Sequence, residues 1–330
     1  MDKKKMAVFP AAILFCLVSA LLSLMLGAAQ LSPVQLWQAI QSGPNNTNGW
    51  IFWYVRLPRT AACLFSGAAL AVSGAVIQAV LHNKLASPSI IGVNAGAGLA
   101  VTVCCALGFL SGWGIAASAF LGALISVLLV IFVAEKTGAS RTTVILGGVA
   151  VNAFLNALSE GVTTLIPEVS MLTADFRVGG FSSVSISRLL PAAALILLAL
   201  TTVMTLCNEL DVLSLGEDTA KSLGLPAKKM RTLFLILAAM LAGSAVSFGG
   251  LLGFIGLIVP HAARKLVGSE SRLLLPLCAI GGAGFVTACD LIARIAFAPY
   301  ELPVGILMSV LGGPFFLLLL LKKKGGRSHD

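Results

Sequence analysis

Charged residues are scarce in this chain of 330 residues, because only 11% are Asp, Glu, Lys or Arg while 58% are hydrophobic. Soluble domains carry about 25% charged residues, and the mean hydropathy of +1.00 departs from them in the same direction. The composition therefore excludes an ordinary cytosolic enzyme and indicates a membrane protein. The net charge of +9 is spread between apolar runs rather than gathered in a patch, which argues against nucleic acid as a partner.

Motifs that carry catalysis or bind cofactors are absent as well. No G-x-x-x-x-G-K-[ST] occurs, so the chain cannot hold ATP phosphates in a P-loop, and no G-x-S-x-G nucleophile elbow is present. The three histidines, His82, His261 and His329, form no metal or haem pair, and the seven cysteines form no C-x-x-C. We expect neither catalysis nor a bound metal or cofactor.

Long apolar runs are what the sequence has instead. A helix crosses about 30 Å of hydrocarbon with roughly 20 residues, since its backbone must be hydrogen-bonded internally. The chain contains ten such runs: 7–27, 60–81, 91–110, 114–134, 142–165, 188–208, 231–249, 252–268, 272–296 and 303–321. We predict an all-α, polytopic membrane protein with about ten transmembrane helices in a single domain over residues 1–330.

Basic residues give the expected orientation. Lysines at 3–5 precede the first run and lysines at 322–324 follow the last, so the positive-inside rule predicts an even number of spans and two cytoplasmic termini. We therefore predict a multi-pass protein of the cell membrane. The first run could instead be a cleaved signal peptide, but about 20 apolar residues are long for its hydrophobic core.

The two halves of the chain share a short pattern. Ser73-Gly74-Ala75-Val76 begins a stretch that reaches Pro88, and Gly243-Ser244-Ala245-Val246 begins one that reaches Pro260. Opposite directions in the membrane would make this an inverted repeat, as in many transporters; a chance match in helices rich in small residues is the alternative. Asn152 and Asn156, four residues apart in the fifth span, either bond a neighbouring helix or line a pathway.

The longest polar stretch inside the chain covers residues 208–230. Ser214-x-x-Glu217 has the spacing of a capping box, Gly224 suits a helix C-terminus, and Pro226 suits the first turn of a following helix. We predict two short cytoplasmic helices, near 214–223 and near 226–231. A structured element of this kind among otherwise short loops is typical of a docking surface.

Positive charge also lies on the predicted outer face, at Arg56, Arg59 and Arg294. Contact with lipid headgroups is one interpretation. The other is a cationic surface that receives carboxylates of an external partner through charge-assisted hydrogen bonds. Asp290 lies four residues before Arg294 on the same helix face, where it can hold that guanidinium in place.

Several of these segments together resemble the FecCD-type permeases, the membrane subunits of ABC importers for iron-siderophores, haem and vitamin B12. The resemblance covers roughly residues 50–321. It is carried by Arg56-Leu57-Pro58-Arg59, Ser66-Gly67-Ala68-Ala69, Gln78, Ala86-Ser87-Pro88, Leu215-Gly216-Glu217, Gly253-Phe254-Ile255-Gly256, Asp290-Leu291-Ile292-Ala293-Arg294, Glu301-Leu302-Pro303-Val304-Gly305 and Gly313-Pro314-Phe315-Phe316.

The resemblance implies a type II ABC importer permease and its partners. Such a permease pairs with an identical or a different permease, sits on two ATPase subunits that bind ATP and Mg, and receives cargo from an extracytoplasmic binding protein. Three sets of residues are implied: docking of the binding protein (Arg56, Arg59 and Arg294), ATPase coupling within 208–230 (Leu215, Gly216, Glu217, Ala220 and Gly224), and a cytoplasmic gate (Asn83, Leu85, Thr142 and Thr143). His82-Asn83-Lys84-Leu85 departs from the Arg-Asn-Pro-Leu that relatives often carry, which predicts a less rigid turn.

The expected cargo is an iron complex, a ferric siderophore or haem, with cobalamin as the alternative within the same family. A secondary transporter driven by an ion gradient is the competing class, but it should carry carboxylates in the middle of the membrane, and Glu160, Asp290 and Glu301 all fall near the ends of predicted spans. A pore or a purely structural membrane protein is disfavoured by the organised cytoplasmic element.

Overall fold

The computed structural model describes residues 3–27, 31–137, 141–298 and 300–324. Within these ranges the regular secondary structure is entirely helical. The helices are α1 Lys3–Met25, α2 Pro33–Ser42, α3 Thr47–Trp50, α4 Leu57–Val80, α5 Val93–Ala106, α6 Gly112–Lys136, α7 Arg141–Leu165, α8 Pro167–Val178, α9 Ile186–Thr205, α10 Cys207–Ser214, α11 Glu217–Ser222, α12 Ala227–Gly249, α13 Ile255–Val267, α14 Ser271–Ile295 and α15 Val304–Lys324. A π-helical segment, Ile51–Arg56, joins α3 to α4.

Each of the ten predicted spans coincides with a helix. Seven of the described helical segments are long and apolar enough to cross a membrane, and the three remaining predicted spans are α5, α13 and α15. Helices α2 and α8 were not predicted, because both are short and interrupted by polar residues. The all-α polytopic fold expected from the sequence is confirmed.

Helices α5 and α13 are shorter than the apolar runs that predicted them. They contain 14 and 13 residues, or about 21 and 20 Å at 1.5 Å per residue, which falls short of about 30 Å of hydrocarbon. Each follows a non-helical segment that ends in a residue with positive φ, Gly92 at 97° and Phe254 at 65°. These crossings are therefore broken helices, whose exposed backbone groups must be satisfied by neighbouring protein.

The predicted repeat is visible in the order of the helices. A long helix, a non-helical segment, a short helix and a helix of 25 residues follow one another in α4 to α6 and again in α12 to α14. Helix α4 packs on α14, and α12 packs on α6. The start of α4 and the end of α12 line one cavity, through Arg59 and Ser247, so these two helices run in opposite directions.

Glycines allow the central helices to cross backbone to backbone. A Cβ atom on Gly67 would lie 2.2 Å from the Gly282 carbonyl oxygen, and one on Gly74 would lie 2.0 Å from the Gly256 oxygen. Small residues at such crossings are the usual way for membrane helices to gain van der Waals contact. The contacts hold α4 against α14 and α13, and thereby bind the two halves together.

Candidate functional sites at the two ends of the helix bundle

One end of the bundle, called the arginine end here, contains Arg56, Arg59 and Arg294. The Arg59 guanidinium on α4 donates from Nε and Nη2 to the Asp290 carboxylate on α14, over 3.0 to 3.2 Å. Its remaining Nη1 donates to Glu301 Oε2 over 2.6 Å. Arg59 therefore joins two helices and the non-helical segment that precedes α15 through charge-assisted hydrogen bonds.

The same carboxylate also holds Arg294, whose Nε lies 3.2 Å from Asp290 Oδ2 one helical turn away. Arg294 Nη2 donates to Ser23 Oγ of α1 over 2.7 Å, and that hydroxyl shares a hydrogen bond of 2.8 Å with Thr60 Oγ1. Arg56 Nη1 donates to the Leu24 carbonyl oxygen over 2.7 Å. The network thus fastens α1 to α4 and α14, and the predicted support of Arg294 by Asp290 is confirmed.

The expected exposure of the three arginines is wrong. Arg56, Arg59 and Arg294 are only 3%, 6% and 5% exposed, and Asp290 is fully buried. The reason is internal pairing: Asp290 and Glu301 of the same chain neutralise Arg59, Asp290 also neutralises Arg294, and Arg56 donates to the backbone of α1. The docking role of these arginines stays a prediction.

A polar cavity of about 270 Å³ opens beside this network. Its charged lining residues are Arg59, Asp175, Arg188 and Glu301, and its walls come from the end of α8, the start of α9, the end of α12 and the segment before α15. Backbone hydrogen bonds hold these walls together, from Gly180 N to the Gly249 oxygen and from Leu251 N to the Phe176 oxygen, both over 2.9 Å. Sequence reasoning missed this cavity because α8 was not predicted.

The opposite end, called the lysine end here, contains Lys84, Lys221 and Lys228 with the short helices α10 and α11. Glu217 at the start of α11 pairs with Lys221 one turn on, over 3.1 Å, and with Arg231 of α12, whose side chain is only 6% exposed. The hydrogen bond from Arg231, and then that from Lys221, lowers the pKa of Glu217. Glu217 therefore fastens α11 to a membrane-spanning helix.

Two details of the predicted coupling element are wrong, and one is confirmed. Ser214 ends α10 and donates to the Asp211 carbonyl oxygen, so it does not cap α11, which begins after Gly216 at a φ of 125°. No separate second helix forms near 226–231, because Pro226 is the N-cap of α12 itself. Gly224, at a φ of 81°, ends α11 as predicted.

The C-terminus of α11 explains the requirement for that glycine. The backbone N–H of Leu225 donates to the Ala220 carbonyl oxygen over 2.9 Å, and Gly224 N donates to the Lys221 oxygen over 2.9 Å. Such a reversal ends a helix through a residue with positive φ. Ala220 is buried under the turn, while Leu215 and Leu223 are 65% and 63% exposed. The element therefore presents apolar side chains outward on a fixed backbone.

The predicted gate residues lie in two separate segments. Asn83 follows α4, where its side-chain oxygen accepts a hydrogen bond from Leu85 N over 3.0 Å and its carbonyl oxygen accepts one from Ala86 N over 3.0 Å. The turn is thus hydrogen-bonded without the family's proline. Thr142 and Thr143 lie in the first turn of α7. Their role as a gate stays a prediction.

The two asparagines of α7 differ in their surroundings. Asn152 Nδ2 donates to the carbonyl oxygens of Ser89 and Ile90 over 2.9 and 3.1 Å, which satisfies the non-helical backbone before α5. Asn156 is exposed on the surface of this single chain. Asn152 is therefore part of the fold's hydrogen bonding. The predicted role of both asparagines in lining a pathway stays a prediction.

Sequence reasoning missed a second group of polar residues at the lysine end. The buried amide of Gln78 donates to the carbonyl oxygens of Ala86 and Gly256 over 3.1 and 2.9 Å, and its oxygen accepts a hydrogen bond from Arg264. Asp211 of α10 accepts hydrogen bonds from Ser271 N and Oγ at the start of α14, over 3.0 and 2.6 Å. A lone amide in an apolar span was the available signal, since it needs a partner.

Within the described residues, ten helices lie where the ten apolar runs were predicted, a buried ion network lies at one end and a short helical element at the other. This architecture defines a polytopic membrane protein. The chain belongs to the FecCD transport family, which matches residues 15–322. It is a permease of an ABC importer, in which ATP is hydrolysed by a separate subunit.

Curated relatives resemble the chain over nearly its whole length. The hemin transport system permease protein HmuU of Yersinia pestis is 35% identical over 325 residues, covering 96% of both chains. The iron(3+)-hydroxamate import system permease protein FhuB of Bacillus subtilis is 37% identical, covering 95% of this chain and 82% of that one. The vitamin B12 import system permease protein BtuC of Klebsiella pneumoniae is 37% identical, covering 94% and 92%.

A solved structure described as an inward-facing conformation of a metal-chelate type ABC transporter shares the fold. It superimposes with a TM-score of 0.84 at 29% identity, covering 96% of this chain and 99% of that one. The family expected from the sequence motifs is thereby confirmed.

Proposed function

We propose that this permease imports an iron complex, a ferric siderophore or haem, into the cytoplasm. Hemin and iron-hydroxamate permeases are among its relatives, and an iron chelate fits the description of the similar solved structure. Cobalamin is the second candidate, because a vitamin B12 permease is equally similar in sequence.

The lysine end faces the cytoplasm in this proposal. It carries Lys84, Lys221, Lys228 and Arg264, whereas each buried arginine at the other end has a carboxylate or a carbonyl oxygen as its partner. Excess positive charge on cytoplasmic segments is the strongest orientation signal in membrane proteins. Both termini then lie in the cytoplasm, and the arginine end meets the extracytoplasmic binding protein through the surface around Arg56, Arg59 and Arg294.

The observation that carries the coupling role is the outward pair of leucines on a fixed element. Leu215 and Leu223 are both largely exposed on either side of α11, which Glu217 ties to Arg231 of α12. Exposed apolar side chains on a rigid element are typical of a protein interface. Through the Glu217–Arg231 ion pair, a movement of the ATPase reaches α12. A second permease copy and two ATPase subunits complete the transporter.

Two photo-crosslinking positions test the orientation and the partners together. A benzoylphenylalanine in place of Tyr300, which is 79% exposed at the arginine end, should link to the binding protein. The same residue in place of Leu215 should link to the ATPase. Links to the opposite partners would contradict the proposed orientation. Cargo is then read from uptake of iron-labelled siderophore, haem or cobalt-labelled cobalamin by cells that depend on this permease.

A further inference from the structure

A second polar cavity, of about 250 Å³, lies at the lysine end. It is bordered by the last turns of α4 and the turn that follows them, by α10, by the end of α13 and by the start of α14. Three of these helices are predicted membrane spans, and the cavity lies where those spans end, at the level of the lipid headgroups. Its charged or titratable lining residues, among those the structure describes, are His82, Lys84, Asp211 and Arg264.

Arg264 lines this cavity with its charge poorly compensated. The half-buried guanidinium donates from Nη1 to the side-chain oxygen of Gln78, a neutral partner that takes one of its five N–H donors. In the part of the chain that the structure describes, Gln78 is its only hydrogen-bond partner, and no carboxylate lies within ion-pair distance. Because a charge that has partly left water needs an opposite charge nearby, the cavity has positive charge to offer to an anion.

The turn after α4 brings a second cation to the same cavity. Lys84 is exposed at its rim, and its ammonium group makes no ion pair with any carboxylate in the described ranges. His82 in this turn has a φ of 51°, a conformation that few residues other than glycine adopt. Residues held in such conformations are frequent at ligand sites, where the surrounding structure supports them.

Asp211 does not cancel this charge. Its Oδ1 accepts hydrogen bonds from Ser271 N and Oγ over 3.0 and 2.6 Å, and its Oδ2 accepts one from Ser271 N over 3.2 Å. The carboxylate is thus engaged by the start of α14, and it forms no ion pair with Arg264 or Lys84. With His82 uncharged, two cations and one anion line the cavity.

We propose that this cavity binds a phosphate group, which Arg264 and Lys84 hold from two sides. The guanidinium fork matches the oxygens of a phosphate, and a lysine serves it as a point charge. Basic pockets between membrane helices on the cytoplasmic side bind the headgroups of anionic lipids, and free inorganic phosphate presents the same group. A volume of about 250 Å³ has room for a tetrahedral oxyanion and several waters.

A bound phosphate would join the turn after α4 to α13, beside α10. The site therefore adds a ligand-dependent tie to the end of the bundle that is otherwise held by single pairs, namely Arg264 with Gln78 and Arg231 with Glu217. The proposal goes beyond the proposed function, since phosphate binding requires neither a cargo nor a partner protein.

Thermal unfolding of the full-length permease in detergent tests the site. The midpoint is followed during addition of sodium phosphate at constant ionic strength and, separately, while phosphatidylglycerol replaces phosphatidylcholine in micelles of fixed lipid content. The variants are Lys84→Gln, Arg264→Gln and Lys265→Gln. Lys265 is an exposed lysine beside Arg264 that does not line the cavity, and it is the matched control for the loss of one positive charge. Arg264→Gln also removes the hydrogen bond to Gln78, whereas Lys84→Gln changes only an exposed side chain and leaves the fold intact.

At least one of the two probes should raise the midpoint of the wild type, since a ligand that binds the folded state stabilises it. The dissociation constant should weaken roughly fivefold in Lys84→Gln and at least roughly tenfold in Arg264→Gln, while Lys265→Gln keeps the wild-type value. A response to phosphatidylglycerol alone supports a lipid headgroup as the ligand, and a response to phosphate alone supports the free anion.

Because phosphate also stabilises proteins by exclusion from their surface, the difference between the variants is decisive. A wild type that responds to neither probe would overturn the proposal. So would a Lys84→Gln variant with the wild-type dissociation constant, or a Lys265→Gln variant that weakens binding as much as Lys84→Gln does.

Discussion

The two ends of the bundle hold their arginines in different ways. At the arginine end, Asp290 serves both Arg59 and Arg294, and the network joins α1, α4, α14 and the segment before α15. At the lysine end, Arg264 meets the neutral amide of Gln78, and Arg231 meets a glutamate on the six-residue helix α11.

This difference shows which end is the scaffold and which end can move. A shared, fully buried carboxylate cannot move away from either arginine without leaving that buried charge poorly compensated, so its helices move together or not at all. Pairs that join only two elements can change one at a time. The arginine end is therefore fixed except at the exposed Glu301, and the lysine end can transmit small displacements of α11 and of the turn after α4.

Asp290→Asn should have the largest effect, because it leaves both Arg59 and Arg294 without their common carboxylate in a buried site. We expect destabilisation by about 3–5 kcal/mol and a marked loss of folded protein. Thermal unfolding in detergent, followed by size-exclusion chromatography, measures the change. Asp218→Asn, at an exposed acid on α11, is the matched control. A variant as stable as the wild type would show that the arginine end is not the scaffold.

Gly74→Ala comes next, and it tests whether the two ends are joined rigidly through the centre. The added Cβ would lie 2.0 Å from the Gly256 oxygen, so α4 and α13 must separate, at an expected cost of about 1–3 kcal/mol. The same unfolding assay measures it. Gly161→Ala, where no atom lies within 4 Å of the added Cβ, should be neutral or slightly stabilising, since alanine is the better helix former. Equal loss in both variants would contradict close packing as the cause.

The positions of the spans and the end of α11 could be predicted from the sequence, whereas the burial of the arginines could not. The length of the apolar runs located all ten spans, and Gly224 marked the end of α11, because these signals are local. The burial of Arg59 could not be predicted, since its carboxylates lie 231 and 242 residues away in the sequence. The capping box failed at Ser214 because this residue ends α10, where its hydroxyl donates to the Asp211 carbonyl oxygen, and α11 begins only after Gly216.

Glu217→Gln should have a smaller and local effect at the lysine end. The charged pair with Arg231 is lost, and because Glu217 is about one-third exposed, screening limits the cost to about 1 kcal/mol. The lowered pKa of Glu217 sets a pH dependence: the stabilisation is present above the unfolded-state pKa and disappears as the pH falls through the folded-state pKa.

Hydrogen exchange of the α11 amides measures this effect. Protection in the wild type should fall as the pH is lowered through the acidic range, after correction for intrinsic exchange, whereas Glu217→Gln should show low protection throughout. Asp218→Gln is the control, because Asp218 lies beside Glu217 but is exposed. If the wild type and Glu217→Gln have the same pH profile, Glu217 does not fasten α11 to α12.

Gly224→Ala should have the smallest effect on stability. It distinguishes a glycine that is needed for its backbone conformation, at the lysine end, from one that is needed for space, at the arginine end. No atom lies within 4 Å of a Cβ placed on Gly224, whose φ is 81°, whereas a Cβ on Gly305 would lie 1.8 Å from the Val178 oxygen. Gly224 is thus needed for backbone conformation, at a cost of about 1 kcal/mol on substitution by alanine, and Gly305 is needed for space. Asparagine tolerates positive φ better than alanine, so Gly224→Asn should retain more ATPase binding than Gly224→Ala, while Gly305→Asn should be no better than Gly305→Ala. The two Gly224 variants are compared by the amount of ATPase that stays bound to the purified permease, and the two Gly305 variants by thermal unfolding. If asparagine and alanine rank in the same order at both positions, the two glycines are not needed for different reasons.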